Sequence, residues 1–378
     1  MTQPIYLDYN GTTPLAPEVL TAMRLYFESE FGNPSSSHWY GIRPRQAVEE
    51  ARRKVAGLIG CTAKEMIFTS GGTESNNQVI KSIAGALGHR GNHIITSQIE
   101  HPAILEVCRF MESRGFSITR LPVDETGRVD PNDAAAAVRP ETILISIMHA
   151  NNEVGTIQPV REIAAIAASA GILMHTDAAQ SLGKIPVNVD DLGVDLLSIA
   201  GHKLYAPKGI GALYIRESVR PQPFCHGAGQ EFGIRAGTEN VPGIAGLGKA
   251  CQLIAAGLEE TAAHMKSMRD RLEAALGSQL TDIRFNGHPE LRLPNTSSIS
   301  FAGLEANRLL EEIGLVVAAS AGAACHSDHV TISHVLSAMK IPEAWARGTL
   351  RFSTGRLTTP AEIDRAAEAI VTAVNRLR

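Results

Sequence analysis

The chain is poor in the features that mark secreted, membrane-spanning and nucleic-acid-binding proteins. Its 378 residues include five cysteines and no CxxC pair, which argues against a disulfide framework or zinc finger and predicts a reducing cytoplasm. No uncharged apolar stretch reaches the roughly 18 residues of a membrane span, and the N-terminus does not resemble a signal peptide. Lys and Arg total 35 against 39 Asp and Glu, without a dense basic block, so nucleic acid is not expected as the main partner.

Short apolar runs alternate with helical patterns through the first two thirds of the chain. The runs at 93–97, 142–148, 172–177 and 195–200 are typical of strands that are buried on both faces of a sheet. The helical patterns between them indicate crossover connections, which are right-handed in parallel sheets. The sequence therefore predicts an α/β fold with a mainly parallel central sheet.

A change of pattern near the last third predicts a second domain, as the length of the chain also does. One long helical pattern covers 249–278, and shorter strand and helix patterns follow it. We predict a large domain over 15–256 and a smaller α+β domain formed by 1–14 and 257–378.

An acidic residue and a lysine each follow a predicted strand, and the two lie 26 residues apart. Asp177, in the motif HTDAAQ, is the last residue of one predicted strand. Lys203, in the motif GHK, lies just past the end of the next predicted strand. Because the carboxyl ends of parallel strands form the ligand crevice, both side chains should face one site. A pyridoxal phosphate (PLP) site needs this pair: the amine forms a Schiff base with the cofactor aldehyde, and the carboxylate keeps the pyridine nitrogen protonated.

Other polar residues at predicted strand ends could complete that crevice. Gly72 and Thr73 open a helix, where free N–H groups attract a phosphate, although an ordinary strand-to-helix turn has the same form. His101 could stack on a ring and move protons, or simply cap a helix. Asn152 and Gln180 could donate to a substrate carboxylate or a phenolic oxygen, or belong to turns.

Two residues in the last third carry chemistry of their own. The guanidinium fork of Arg351 suits the carboxylate of an amino acid, and the alternative is a surface ion pair. Cys325 lies among small residues in AASAGAACHSDH, where neighbouring histidines would favour a nucleophilic thiolate. A buried inert cysteine and a metal site are the alternatives, but three local ligands do not close a metal site, and we predict none.

Several longer motifs, in order along nearly the whole chain, closely resemble the NifS/IscS-type cysteine desulfurases, which are class V, fold-type I PLP enzymes. The motifs are YLDYNGTTP (6–14), FGNPSSSH (31–38), FTSGGTESNN (68–77), EHPA (100–103), NNEVGTIQP (151–159), HTDAAQ (175–180), GHK (201–203), RAGTEN (235–240) and RFSTGR (351–356). The segments GAACHSDH (322–329) and GHKLYAPKGIGALYI are also similar to selenocysteine lyases, a close branch.

The resemblance implies a role for each candidate residue. Lys203 would be the Schiff-base lysine, with Asp177 at the pyridine nitrogen, Gln180 at the phenolic oxygen and His101 stacked on the ring. Gly72, Thr73 and His202 would lie at the phosphate, and Thr238 would reach the phosphate of the partner subunit in a homodimer. Asn152 and Arg351 would hold the substrate carboxylate, and Cys325 would accept sulfur and pass it to an acceptor protein.

Two positions depart from the family pattern at the expected phosphate site. Ala200 stands where many desulfurases have a phosphate-binding serine, and Gly72 stands where alanine is common. Three functions therefore remain open: a cysteine desulfurase, a selenocysteine lyase, and a PLP-binding partner protein without turnover. The sulfur acceptor and the pathway served are not determined by the sequence.

Overall fold

The computed structural model describes residues 4–321 and 332–378, and a seven-stranded sheet forms the centre of this part of the chain. Its strands run in the order β2-β8-β7-β6-β5-β3-β4. The bounds are β2 Met66–Thr69, β3 His93–Ser97, β4 Ser117–Leu121, β5 Thr142–Ser146, β6 Leu173–Asp177, β7 Leu196–Ala200 and β8 Gly211–Ile215. Strand β8 is antiparallel to both neighbours, and the other adjacent pairs are parallel. The predicted α/β fold with a mainly parallel sheet is confirmed.

Helices cover the large sheet because its strands are apolar on both faces. The strands β2, β3, β5, β7 and β8 are buried at every residue. The α-helices of the described residues, in both parts of the fold, are α1 Pro17–Glu28, α2 Trp39–Ile59, α3 Gly72–Leu87, α4 Pro102–Glu112, α5 Pro131–Ala137, α6 Val160–Ser169, α7 Val189–Leu192, α8 Val241–Gln279, α9 Ala306–Ile313, α10 His334–Ala338, α11 Glu343–Ala346 and α12 Pro360–Leu377.

A second, antiparallel sheet lies in the C-terminal third. Its order is β12-β13-β10-β9, formed by β9 Ile283–Asn286, β10 Thr296–Phe301, β12 Ser320–Ala321 and β13 Thr349–Ser353. The short strand β1 (Ile5–Tyr6) pairs in parallel with β11 (Val317–Ala318). Leu7, Phe301 and Phe352 share a hydrophobic cluster with residues of α8, α9 and α12. The N-terminal segment therefore packs with the C-terminal third, while the domain boundaries given above stay a prediction.

The long helix α8 contributes residues both to the hydrophobic core beside the large sheet and to the cluster in the C-terminal third. It begins eight residues before the predicted start, and its backbone is non-helical at Gly257. By length and composition, part of this helix could cross a membrane. In the fold, however, it packs against α1, α2 and α12 and contributes Leu247, Leu272 and Leu276 to the hydrophobic clusters. This packing is that of a core helix.

Candidate functional site

A cavity of about 420 Å³ lies at the carboxyl ends of the parallel strands. Nine of the residues singled out from the sequence line it: Gly72, Thr73, His101, Asn152, Asp177, Gln180, His202, Lys203 and Arg351. Their convergence follows from topology, because β3, β5, β6 and β7 run in parallel and their carboxyl ends meet at one edge. The roles of the individual residues are still predictions.

Lys203 lies on the short 3₁₀ turn Gly201–Lys203, which follows β7 directly. Its Nζ donates to the backbone oxygens of Asn10 and Gly11, the latter at 2.6 Å. Burial lowers the pKa of Lys203 to about 8, and the positive charge of Arg351 contributes in the same direction. The amine is therefore neutral, and so nucleophilic, in a larger fraction of molecules near neutral pH than an exposed lysine.

Asp177 ends β6 and is buried against the cavity wall. Its carboxylate accepts bonds from Asn76 Nδ2 at 2.7 Å and from the backbone N–H of Ala179 at 2.9 Å. Within residues 4–321 and 332–378, no ion pair involves Asp177. Asn76 Oδ1 is also buried, with no partner among the described residues. A buried carboxylate whose hydrogen bonds in this part of the chain come from neutral donors is suited to a cationic ligand.

His101 caps α4, which places its ring at the cavity. The backbone N–H of Ala103 donates to His101 Nδ1 at 3.1 Å. The proton of the neutral ring is therefore on Nε2. Burial lowers the pKa of His101, so its imidazole is mainly neutral at physiological pH. It can therefore exchange a proton with a reacting group in the cavity.

The N-terminus of α3 lies at the cavity, which Gly72 and Thr73 line. Gly71 precedes the helix with φ 149°, a conformation that favours glycine. No side chain caps the helix, so its first N–H groups are available to an anion. The two departures from the family pattern meet here: a Cβ added at Gly72 would lie 3.3 Å from Ala200 Cβ. His202 Nδ1 lies 3.1 Å from Thr12 Oγ1, which fixes the ring at the same wall.

Arg351, on β13, also lines the cavity. One terminal nitrogen contacts Asp8 Oδ1 at 2.6 Å and Ser320 Oγ at 3.1 Å, and the other donates to the backbone oxygen of Asn152 at 3.0 Å. Its Nε is buried and has no hydrogen-bond partner within residues 4–321 and 332–378. The guanidinium is thus held in place by neighbouring residues, and part of its donor capacity is left for a ligand.

One predicted site residue, Thr238, is exposed and does not line this cavity. Its assignment to the site of a partner subunit stays a prediction. Cys325 lies outside the described residues.

Four residues at or near the site were not identified from the sequence, namely Asp8, Asn10, Asn76 and Lys184. Asn10 links the most partners: its backbone oxygen accepts from Lys203 and Gln180, and its side chain contacts Thr296 at 2.8 Å. Asn10 and Asn76 stand in motifs quoted for the resemblance, but hydrogen bonds between residues so distant along the chain have no sequence signal. Lys184 lies four residues after Gln180, and only the three-dimensional structure shows the contact between them.

The residues present fit PLP by the chemistry of their donor set. An amine, a buried carboxylate without a cationic partner and an uncapped helix N-terminus match its aldehyde, pyridinium nitrogen and phosphate. Among the described residues, no group of three or more His, Cys, Asp or Glu could hold a metal ion.

Comparison with known proteins gives a consistent result. The family model described as aminotransferase class-V matches residues 5–366. A cysteine desulfurase IscS of Dictyoglomus turgidum is 49% identical, over 100% of this chain and 96% of that protein. The cysteine desulfurase IscS of Methanosarcina thermophila is 46% identical, over 99% and 93%.

Solved structures agree with the sequence comparison. A NifS-like protein superposes with a TM-score of 0.93 at 37% identity, covering 99% of this chain and 100% of that one. SspA in complex with cysteine superposes with a TM-score of 0.83 at 36% identity, covering 94% and 100%. The family resemblance inferred from the motifs is confirmed.

Proposed function

Because the chain belongs to the aminotransferase class-V family, we propose that it is a PLP-dependent cysteine desulfurase that converts L-cysteine to L-alanine and passes the sulfur to an acceptor. The observation that carries this proposal is the meeting of Lys203, Asp177 and Arg351 in one cavity. The names of the two similar proteins, which the chain matches over 96% and 93% of their lengths, support the choice of cysteine as substrate.

When bound, PLP supplies an aldehyde that captures amines and a ring that stores the electrons released at the substrate Cα and Cβ. Lys203 would hold the cofactor through its amine and, when that amine is free, would move a proton at the substrate Cα. Asp177 would keep the pyridine nitrogen protonated, and the neutral ring of His101 would contact the cofactor ring. Gly72, Thr73 and His202 would bind the phosphate.

Arg351 and Asn152 orient the substrate by its carboxylate. The guanidinium is pre-positioned by Asp8 and by the backbone of Asn152, so little side-chain freedom is lost on binding. Gln180 would donate its amide nitrogen to the phenolic oxygen of the cofactor. Residues of the chain would thus bind the substrate carboxylate and position the cofactor that reacts with the substrate amine.

The sulfur-transfer step is assigned to Cys325 on sequence alone. Its thiolate attacks the substrate sulfur, an S–S bond forms and the Cβ–S bond breaks. The electron pair of the broken bond stays on Cβ, which takes up a proton, so that alanine and a Cys325 persulfide result. The step needs no external oxidant or reductant. A homodimer, completed at each phosphate by the partner's Thr238, is part of the same proposal.

Alanine release from cysteine tests the function. The purified protein with PLP is incubated with L-cysteine, and alanine and sulfide are measured with a thiol acceptor present. We expect alanine to form, and Cys325→Ala to abolish sulfur transfer. Alanine formation by Cys325→Ala at the wild-type rate would refute the persulfide step.

Competition between cysteine and selenocysteine decides between the two lyase chemistries. We expect kcat/KM to be at least comparable for cysteine, whereas a large preference for selenocysteine would assign the chain to that branch instead. A PLP absorbance band that does not change with either substrate would favour a binding protein without turnover.

A further inference from the structure

Lys184 is a buried lysine that the proposed chemistry leaves unexplained. It is 4% exposed, and its Nζ donates to Gln180 Oε1 at 2.7 Å and to Asn10 Oδ1 at 2.9 Å. In the described part of the chain, neither Lys184 nor these acceptors joins an ion pair. A buried ammonium without a counter-ion is unfavourable, whereas the two N–H groups of a neutral amine match two acceptors. Burial lowers the pKa of Lys184 well below its usual value, and Lys203 and Arg351 contribute.

Lys184, Gln180 and Asn10 form a closed ring of hydrogen bonds that includes the backbone oxygen of Asn10. Lys184 contacts both Gln180 and Asn10, and Gln180 Nε2 donates to the backbone oxygen of Asn10 at 3.1 Å. These hydrogen bonds determine where the nitrogen and the oxygen of the Gln180 amide lie. If the amide were turned over, its oxygen would face the Asn10 oxygen, acceptor against acceptor, and the Lys184 N–H that now bonds to Gln180 Oε1 would lose that acceptor in a buried position.

The orientation matters because Gln180 lines the cavity. The amide nitrogen carries two hydrogens, and Asn10 takes one of them. The other is left for an acceptor in the cavity. The same Asn10 oxygen also accepts from Lys203, so the ring lies one bond from the cofactor-binding amine.

We propose that Lys184 is a positioning residue that locks the Gln180 amide with its nitrogen available to the phenolic oxygen of the cofactor. The inference rests on the proposed PLP site, but not on which substrate the enzyme uses. A purely structural lysine, or one acting through its charge, would affect the cofactor independently of Gln180. The structure instead predicts that the effect of Lys184 passes through Gln180.

The test is a pH titration of the visible absorbance of the PLP-bound protein. A donor to the phenolic oxygen favours its anionic form, so loss of the donor raises the pH at which the bound cofactor loses its proton. We expect Lys184→Met to raise the titration midpoint by about half to one pH unit, the equivalent of one hydrogen bond. Gln180→Leu should raise it as much or more, and the double variant should match Gln180→Leu alone.

Lys266→Met, on the exposed face of α8 and paired with Asp270, is the matched control and should leave the midpoint unchanged. An unchanged midpoint in Lys184→Met would overturn the proposal. So would an equal shift in the wild-type and Gln180→Leu backgrounds, because that is the signature of a charge effect. If Lys184→Met does not fold, Lys184→Gln, too short to reach both acceptors, must show a shift in the same direction. The titration requires cofactor binding only, so a failure of alanine release would count against the proposed function and not against this inference.

Discussion

At the residue scale, the contacts of Arg351 make the clearest prediction about substrate recognition. Replacing it by lysine keeps the charge but removes the planar fork that can bind a carboxylate through two parallel bonds. We expect Arg351→Lys to lower kcat/KM for cysteine about 10- to 100-fold, since a hydrogen bond to a charged group contributes roughly 1.5–3 kcal/mol. Most of the loss should lie in KM, which steady-state kinetics will show.

Arg347→Lys is the control for that change. Arg347 pairs with Glu343 at the surface of α11, where an ion pair contributes little, so kinetics should stay at the wild-type level. A wild-type KM in Arg351→Lys would show that the guanidinium does not contribute to substrate binding.

The lowered pKa of Lys203 predicts how cofactor capture depends on pH. Only the neutral amine attacks the PLP aldehyde, so the rate of capture by cofactor-free protein should fall as pH drops through about 8, rather than through the usual value of about 10.4. Arg351→Met should raise that midpoint, because the positive charge of Arg351 helps to lower the pKa. Stopped-flow absorbance measures the rate. A midpoint near that of a free lysine would contradict the burial argument.

The contacts of individual residues also explain which parts of the site could be predicted from the sequence. Lys203, Asp177 and His101 follow strands, and a parallel sheet brings strand ends together whatever the details of packing. Lys184 and Asn10 are 174 residues apart in the chain, and their contact depends on how the N-terminal segment returns to the sheet. Periodicity and motifs do not encode that contact.

At the scale of elements, the close packing of β8 against the turn before α3 supports the part of the cavity where we propose that the phosphate binds. A Cβ added at Gly211 would lie 2.6 Å from Gly71 Cα and 2.6 Å from the Ile199 oxygen, both of which are backbone atoms. We expect Gly211→Ala to displace the turn, weaken PLP binding and destabilise the fold by about 1–3 kcal/mol. Cofactor titration and thermal unfolding measure the two effects.

Gly57→Ala provides the comparison, because nothing lies within 4 Å of a Cβ added there on α2. It should stabilise the protein by about 0.5–1 kcal/mol and leave PLP affinity unchanged. Wild-type affinity and stability in Gly211→Ala would show that the turn does not depend on this contact.

Two features of the elements that the sequence does not indicate have local explanations. An apolar run carries no information on strand direction, and β8 is antiparallel to both of its neighbours. The start of α8 was missed because its first turns contain several glycines. One of these, Gly248, allows close approach to α2, since a Cβ there would lie 2.6 Å from Ala51 Cβ. Packing therefore overrides the low helix propensity of glycine.

At the scale of the whole molecule, two surface features support the proposed homodimer. Thr238 is exposed and away from the cavity of its own chain. Phe31 and Trp39, 70% and 67% exposed, and their neighbour Tyr40 are large apolar side chains that a partner could cover. A dimer would bury this surface and would bring the partner's Thr238 to each phosphate.

Mixing two impaired variants tests that arrangement. Lys203→Ala lacks the amine in its own cavity but has an intact Thr238, whereas Thr238→Glu would place a negative charge beside the phosphate of its partner. If each site takes Thr238 from the other chain, a mixed dimer contains one complete site, so activity should recover after the variants are unfolded and refolded together. Thr281→Glu, an exposed change on the connection between α8 and β9, should be active alone. Mixed dimers that form, as sedimentation would show, but stay inactive would mean that Thr238 serves its own chain or neither.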